Sequence, residues 1–214
     1  MYLDIHTHHY KKNHIEVVIL DPRKLPEIFP PLACLGIHPW YINEFPNPIE
    51  FLTPWFNENK FFALGEIGLD KAIEIDFNLQ TQYFKKQMEF AKKLNIPRVI
   101  IHSVRSYNEI FSILKDIDYK GKILFHDFNS TIQMAQQLIN YFDCYFSFGA
   151  RMMKHNNKVV AILPKIPIHR IFLETDDHED ISIEEIYHHA AKSLSLELIE
   201  LLEWIDSNFK NFCH

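Results

Sequence analysis

The sequence predicts a parallel (β/α) barrel of seven or eight strands with truncated early helices. Short apolar runs recur along the chain, helical stripes fill most gaps in its later part, and metal-capable side chains follow several of the runs. The runs are Tyr2–Ile5, Glu16–Leu20, Ala33–Ile37, Phe61–Leu64, Arg98–Ile101, Lys122–Phe125, Cys144–Phe148 and Arg170–Leu173. Each is mainly Val, Ile, Leu or aromatic and too short for a helix. Continuous apolar runs suit strands buried on both faces, as in a parallel sheet.

Between the later runs the apolar spacing becomes helical. Phe84, Met88 and Ala91 share one stripe of a helix near 77–94. Ile110, Phe111, Leu114 and Ile117 repeat the pattern, as do Ile132, Ala135, Leu138, Ile139 and Phe142. Ile183, Ile186, Tyr187, Ala190 and Ala191 form another stripe, and Leu198, Leu201, Leu202 and Ile205 the last. Ser106…Glu109, Ser130…Gln133 and Ser182…Glu185 have capping-box spacing, each shortly after a strand-like run. Strand, loop, helix in repeating order is the grammar of βα units, and eight strand candidates suggest a TIM-barrel-like scaffold. The first two crossovers are exceptions. There is no room for a full helix between Thr7 and Glu16, and prolines 22, 26, 30 and 31 occupy the stretch from Asp21 to Leu32. Helices are therefore expected to be missing or stunted there.

The chain has 214 residues, which suits one domain spanning 1–214, and its 47% hydrophobic fraction is enough for a sizeable core. A net charge of -6 without a basic run argues against broad wrapping of nucleic acid, but not against a phosphate held by metals in a cleft. Cys34, Cys144 and Cys213 form no CxxC and suggest a reducing compartment. The opening MYLDIHTHHY has neither a basic region nor a long apolar one, and no apolar run approaches the roughly 20 residues of a membrane span. The expectation is a cytoplasmic protein with no membrane association and no obligate protein partner.

Histidine is the compositional outlier, at 13 residues. His6-Thr7-His8 follows the first run, and residues two apart on a strand point to one side. Gly65-Glu66 follows the fourth, His102 the fifth, His126 the sixth, and Glu174-Thr175-Asp176 the eighth. Strand ends converge at the C-terminal mouth of a barrel. Each residue alone has an ordinary reading: an incidental H-x-H, a buried histidine, a salt-bridge Glu66, a helix-capping Asp176. Their coincidence at five strand ends argues for metal. Imidazole and carboxylate suit Zn²⁺ or Mn²⁺, and carboxylates also admit Mg²⁺. Four histidines and two carboxylates exceed what one tetrahedral ion needs. Two divalent metal ions are therefore expected, held by His6, His8, Glu66, His102, His126 and Asp176. Glu66 would bridge them, and Asp176 would orient the water that they activate.

His38, in Gly36-Ile37-His38-Pro39, either contacts substrate or shapes a turn, and Arg105 either binds a phosphate or opens a helix. Both are taken as candidate substrate-binding residues. Asp70 reads as mainly structural. His9, His14, His155, His169, His188, His189 and His214 read as surface residues.

The sequence resembles the TatD family of metal-dependent nucleases, within the amidohydrolase-like barrels. The pieces that carry the resemblance are Asp4-Ile5-His6-Thr7-His8, Gly36-Ile37-His38-Pro39, Ala63-Leu64-Gly65-Glu66-Ile67-Gly68-Leu69-Asp70, Ile101-His102-Ser103, His126-Asp127-Phe128, Ser147-Phe148-Gly149 and Leu173-Glu174-Thr175-Asp176. The resemblance implies that His6, His8, Glu66 and Asp176 hold one metal while Glu66, His102 and His126 serve the second. It implies deoxyribonuclease activity by a metal-activated water, with DNA ends or single strands as substrate. The rival expectation is hydrolysis of an amide, ester or lactone on the same barrel. Three stretches depart from the family pattern. No glycine closes His126-Asp127-Phe128-Asn129, Arg105 lies three residues after His102 rather than two, and Asp177-His178-Glu179-Asp180 replaces a proline-containing loop. The chain is also compact for the family.

Overall fold

The computed structural model describes residues 1–58, 60–154 and 158–214. Among them, eight strands form one sheet in the order of the chain: β1 (Leu3–Thr7), β2 (Ile15–Ile19), β3 (Ala33–Leu35), β4 (Ala63–Asp70), β5 (Arg98–Val104), β6 (Lys122–Phe125), β7 (Cys144–Phe148) and β8 (Ile171–Leu173). Every neighbouring pair is parallel. The barrel closes through a parallel bridge between Thr7 and Asp176, with His8 N donating to Asp176 O at 3.0 Å and Asp176 N to His6 O at 2.9 Å. The buried Asp4 carboxylate reinforces this seam by accepting from Thr175 N at 3.0 Å and Thr175 Oγ1 at 2.6 Å. Burial nevertheless pushes the Asp4 carboxyl up to about 7.

The helices are α1 (Pro48–Asn57), α2 (Phe77–Lys93), α3 (Tyr107–Ile117), α4 (Ile132–Tyr141), α5 (Lys158–Ile162), α6 (Ile183–Leu194) and α7 (Leu198–Cys213). Among the described residues no helix connects β1 to β2 or β2 to β3, which bears out the expected truncation. Helix α1 was not expected. It begins with Pro48 at its first turn, carries Pro54 inside, and buries Leu52 and Phe56. No described helix is long and apolar enough to cross a membrane.

Two expected capping boxes do not form. Ser106 Oγ turns inward and donates to Leu69 O at 2.8 Å, while Glu109 pairs with Lys71. Helix α4 is capped by Thr131, which accepts from Met134 N, rather than by Ser130. The Ser182…Glu185 box forms as expected, with a Glu197…Glu200 box on α7.

Two strands are longer than their apolar runs. β4 continues to Asp70 and β5 to Val104, so Glu66 and His102 lie within strands rather than after them. The pair is close because Gly68, opposite His102 in the register, has no side chain; a Cβ there would sit 1.9 Å from His102 O. Two buried glutamines on α2 satisfy backbone groups near the mouth. The Gln87 amide accepts from Ile37 N at 2.8 Å and donates to Ile37 O at 3.0 Å. The Gln80 amide does the same for Asp70, at 2.8 and 3.0 Å. Buried peptide groups need such partners, and these two place His38 and Asp70.

Candidate metal centre

All six expected ligands converge at the C-terminal mouth. His6 is on β1 and His8 just beyond it, Glu66 is within β4, His102 within β5, His126 directly after β6, and Asp176 at the closing seam. The two oxygens of Glu66 face different groups. Oε2 lies 3.5 Å from His6 Nε2 and 3.6 Å from His8 Nε2. Asp176 Oδ1 lies 3.4 and 3.5 Å from the same two nitrogens. On the other side, Glu66 Oε1 lies 2.7 Å from His102 Nδ1 and 2.6 Å from His126 Nε2.

The first set fits a tetrahedral ion. Metal–nitrogen bonds of about 2.0–2.1 Å imply donor–donor edges of about 3.3–3.4 Å, close to the 3.4–3.6 Å spacings here. His6 Nε2 is buried and makes no hydrogen bond, although buried polar atoms normally find partners. A nitrogen aimed at two carboxylate oxygens without bonding either suits a metal ligand.

Ring orientation sorts the remaining histidines. Asp70 Oδ2 faces His102 Nε2 at 3.3 Å and Glu66 Oε1 faces Nδ1 at 2.7 Å, so with an ion on the Glu66 side Nε2 would keep the proton and Nδ1 would offer its lone pair. A carboxylate behind a histidine fixes a metal ligand's tautomer in this way. Asp70 also accepts from Ala72 N at 2.7 Å, so it shapes the turn as well as orienting a ligand. His38 has the opposite arrangement. Its Nδ1 accepts from Trp40 N at 3.2 Å, which leaves the neutral ring's proton on Nε2, 3.3 Å from Glu66 Oε1. Burial holds the His38 pKa below its usual value despite Glu66. In this orientation His38 is a neutral donor to Glu66, although His38, Glu66 and His102 also lie close enough together to hold an ion.

Glu174 has a role that its motif alone does not reveal. It is buried, accepts from Asp127 N at 2.6 Å and stands 3.8 Å from His126 Nδ1. It stands behind His126 as Asp70 does behind His102, but beyond hydrogen-bond distance, and His126 Nδ1 has no hydrogen-bond partner. Gly149 leaves space for it, since a Cβ there would meet Glu174 O at 2.9 Å. Arg151, which pairs with Asp127, was also missed. A cavity of about 800 Å³ opens beside the ligands, and Arg105, Arg151, Lys154 and Trp40 are among the residues lining it. His38 lines the adjoining cavity of about 400 Å³. Arg105 is exposed and adopts φ 55° just beyond β5. Away from the centre, His9 pairs with Glu179 and His14 with Glu184, both part-buried, and His189 is also part-buried. His169, His188 and His214 are exposed, and His155 lies outside the described residues.

Protons and metal ions compete for these rings. Burial opposes protonation of His8, but Asp176 and Glu66 outweigh it and push its pKa up to about 9. Burial likewise opposes protonation of His126, yet Glu66 and Glu174 hold it well above the usual value. Burial would raise Glu66, but His126 and His38 keep it well below the usual carboxylate range. A metal needs neutral imidazoles. Ion uptake at pH 7 is therefore expected to release protons, and affinity should rise with pH as His8, pushed up to about 9, and His126, held well above its usual value, lose theirs. Calorimetry in buffers of different ionisation enthalpy reads the release directly. A heat independent of buffer at pH 7 would contradict this assignment.

The sequence matches the TatD related DNase family over residues 21–213. That match starts after β2, so the placement of His6 and His8 rests on the geometry above. Similar curated proteins include uncharacterized metal-dependent hydrolases from Buchnera aphidicola, 36% identical over 148 residues (68% of this chain, 55% of the relative), and Haemophilus influenzae, 30% identical over 159 residues (70% and 60%). The matched region thus spans a little over half the length of these relatives. Among solved structures, the fold is shared with YjjV, a TatD homologue from Escherichia coli, with TM-score 0.84 and 20% identity over 99% of this chain and 97% of that one. It is shared too with a TatD family hydrolase from Entamoeba histolytica, with TM-score 0.80 and 17% identity over 99% and 97%. The chain belongs to the TatD family.

Proposed function

We propose that this protein is a metal-dependent phosphodiesterase that cleaves DNA at ends or in single strands. The observation that carries the reading is Glu66, which presents one carboxylate oxygen to each of two ligand sets in the smaller cavity, beside a larger one whose lining includes Arg105, Arg151 and Lys154. His6, His8, Glu66 and Asp176 would hold one divalent ion, and Glu66, His102 and His126 the other. When bound, such ions activate water near neutral pH and neutralise charge on a phosphoryl group.

The chain's own groups do the rest. Asp176 is held well below the usual carboxylate range, since His6 and His8 outweigh the effect of its burial. It stays anionic and can orient water by accepting a hydrogen bond from it. His38 lines the adjoining cavity with its N–H facing Glu66 Oε1 at 3.3 Å, and would contact substrate from there. Arg105, Arg151 and Lys154 line the cleft where a phosphate chain would run. The cleft is open and sets Arg105, Arg151 and Lys154 among carboxylates such as Asp127 and Asp177, which suits a phosphodiester better than the amide or lactone alternative, for which a closed apolar pocket is expected.

Protein loaded with Mg²⁺, Mn²⁺ or Zn²⁺ is expected to shorten end-labelled single strands faster than duplexes, and to leave closed circles largely intact. With few cations in the cleft, the slope of log affinity against log salt should be no steeper than about -2, at roughly 0.7 per phosphate neutralised on a single strand. Hydrolysis of an amide or lactone without cleavage of any DNA would overturn the reading. Preferred cutting of circles would keep the chemistry and refute end selection.

A further inference from the structure

Trp40 is 51% exposed, yet its orientation is set. Its indole N–H donates to Asp70 Oδ2 at 2.8 Å, and Asp70 itself is 2% exposed. Its ring neighbours meet it at steep angles, His38 at 85° and 5.0 Å and His102 at 77° and 6.4 Å. Neither covers it as a stacked ring would. Trp40 also lines both cavities beside the ligands, so it stands on the wall between them. Leaving so much indole in water forgoes hydrophobic stabilisation. Pinning it by a carboxylate that also faces a metal ligand ties its position to the reacting centre.

We propose that Trp40 is the stacking platform for the nucleobase next to the scissile phosphate. The proposal rests on the phosphodiesterase reading and names the recognition element within it. A fixed exposed aromatic beside a cleft that sets Arg105, Arg151 and Lys154 among carboxylates such as Asp127 and Asp177 offers a base a stacking face and a phosphate a few cations, the two elements that single-stranded nucleic acid uses. A base can reach the indole only when it is free of its duplex partner, which gives a terminal or unpaired nucleotide the advantage. Recognition by stacking tolerates any base, because every base has a π-face.

The test compares thymidine 5′-monophosphate with deoxyribose 5-phosphate, which lacks the base, by calorimetry on Mn²⁺-loaded wild type, Trp40→Phe and Trp40→Ala. Wild type should prefer the nucleotide by at least about fivefold, the lower end of what stacking one base supplies. Trp40→Ala should lose that preference while binding deoxyribose 5-phosphate as wild type does. Trp40→Phe keeps a flat ring but loses the N–H to Asp70, and should retain most of the preference. The proposal is overturned if wild type shows no preference, if Trp40→Ala weakens both ligands equally, or if Trp40→Phe binds the nucleotide as poorly as Trp40→Ala. The last two outcomes would assign Trp40 to positioning Asp70. Stacking without cleavage of any DNA would keep the platform and overturn the phosphodiesterase reading. Cleavage without base preference would do the reverse.

Discussion

Glu66→Gln is expected to lower metal content and turnover together, with turnover falling on the order of 10³-fold or more, because paired ions contribute several kcal/mol of transition-state stabilisation. The structure makes the reason specific. Oε2 of the buried carboxylate faces His6 and His8, while Oε1 faces His102 and His126. A glutamine of the same shape has one oxygen and one NH₂. However the amide lies, one ligand set receives a donor where it needs an acceptor, and neither receives a charge. Metal analysis and kcat on the same preparation measure the effect. Full metal content with undiminished turnover would contradict the bridging role.

Asp176→Asn is expected to reduce kcat by about 10²–10⁴-fold, the usual range for a general base, with little change in melting temperature. The side chain sits among His6 and His8 and is held anionic. The fold relies on its backbone instead, through Asp176 N to His6 O and His8 N to Asp176 O. Asp176 adopts φ 57°, in the left-handed region, where asparagine is among the best-tolerated residues after glycine. The substitution therefore tests chemistry with the seam intact. Near-native turnover would place the base elsewhere, whereas a large drop in melting temperature would make Asp176 a structural residue.

What the sequence made legible was local. A short apolar run followed by His or a carboxylate is a contiguous pattern, and barrel topology sends every such end to one mouth, so the convergence of the six candidate ligands could be read without coordinates. The supports were not legible because each joins distant positions. Asp70 meets His102 across 32 residues, and Glu174 takes the amide of Asp127 across 47. Nothing next to Asp70 distinguishes a ligand-orienting carboxylate from a turn cap, and here it is both. Ser106 shows the converse. Its spacing to Glu109 suits a capping box, but its buried hydroxyl serves Leu69 instead. The lengths of β4 and β5 were underestimated because Glu66, Gly68 and His102 interrupt the apolar pattern where the strands supply function. Trp40 carried a weak signal, an aromatic directly after His38-Pro39. Only the Asp70 contact shows that it is fixed.

The central claim is that one carboxylate serves two ions. Anomalous diffraction from crystals equilibrated with Mn²⁺ or Zn²⁺ tests it most directly. Two peaks are expected flanking Glu66, one contacted by His6, His8, Asp176 and Oε2, the other by Oε1, His102 Nδ1 and His126 Nε2. A single peak, with Glu66 Oε1 still hydrogen-bonded to His102 and His126, would contradict it.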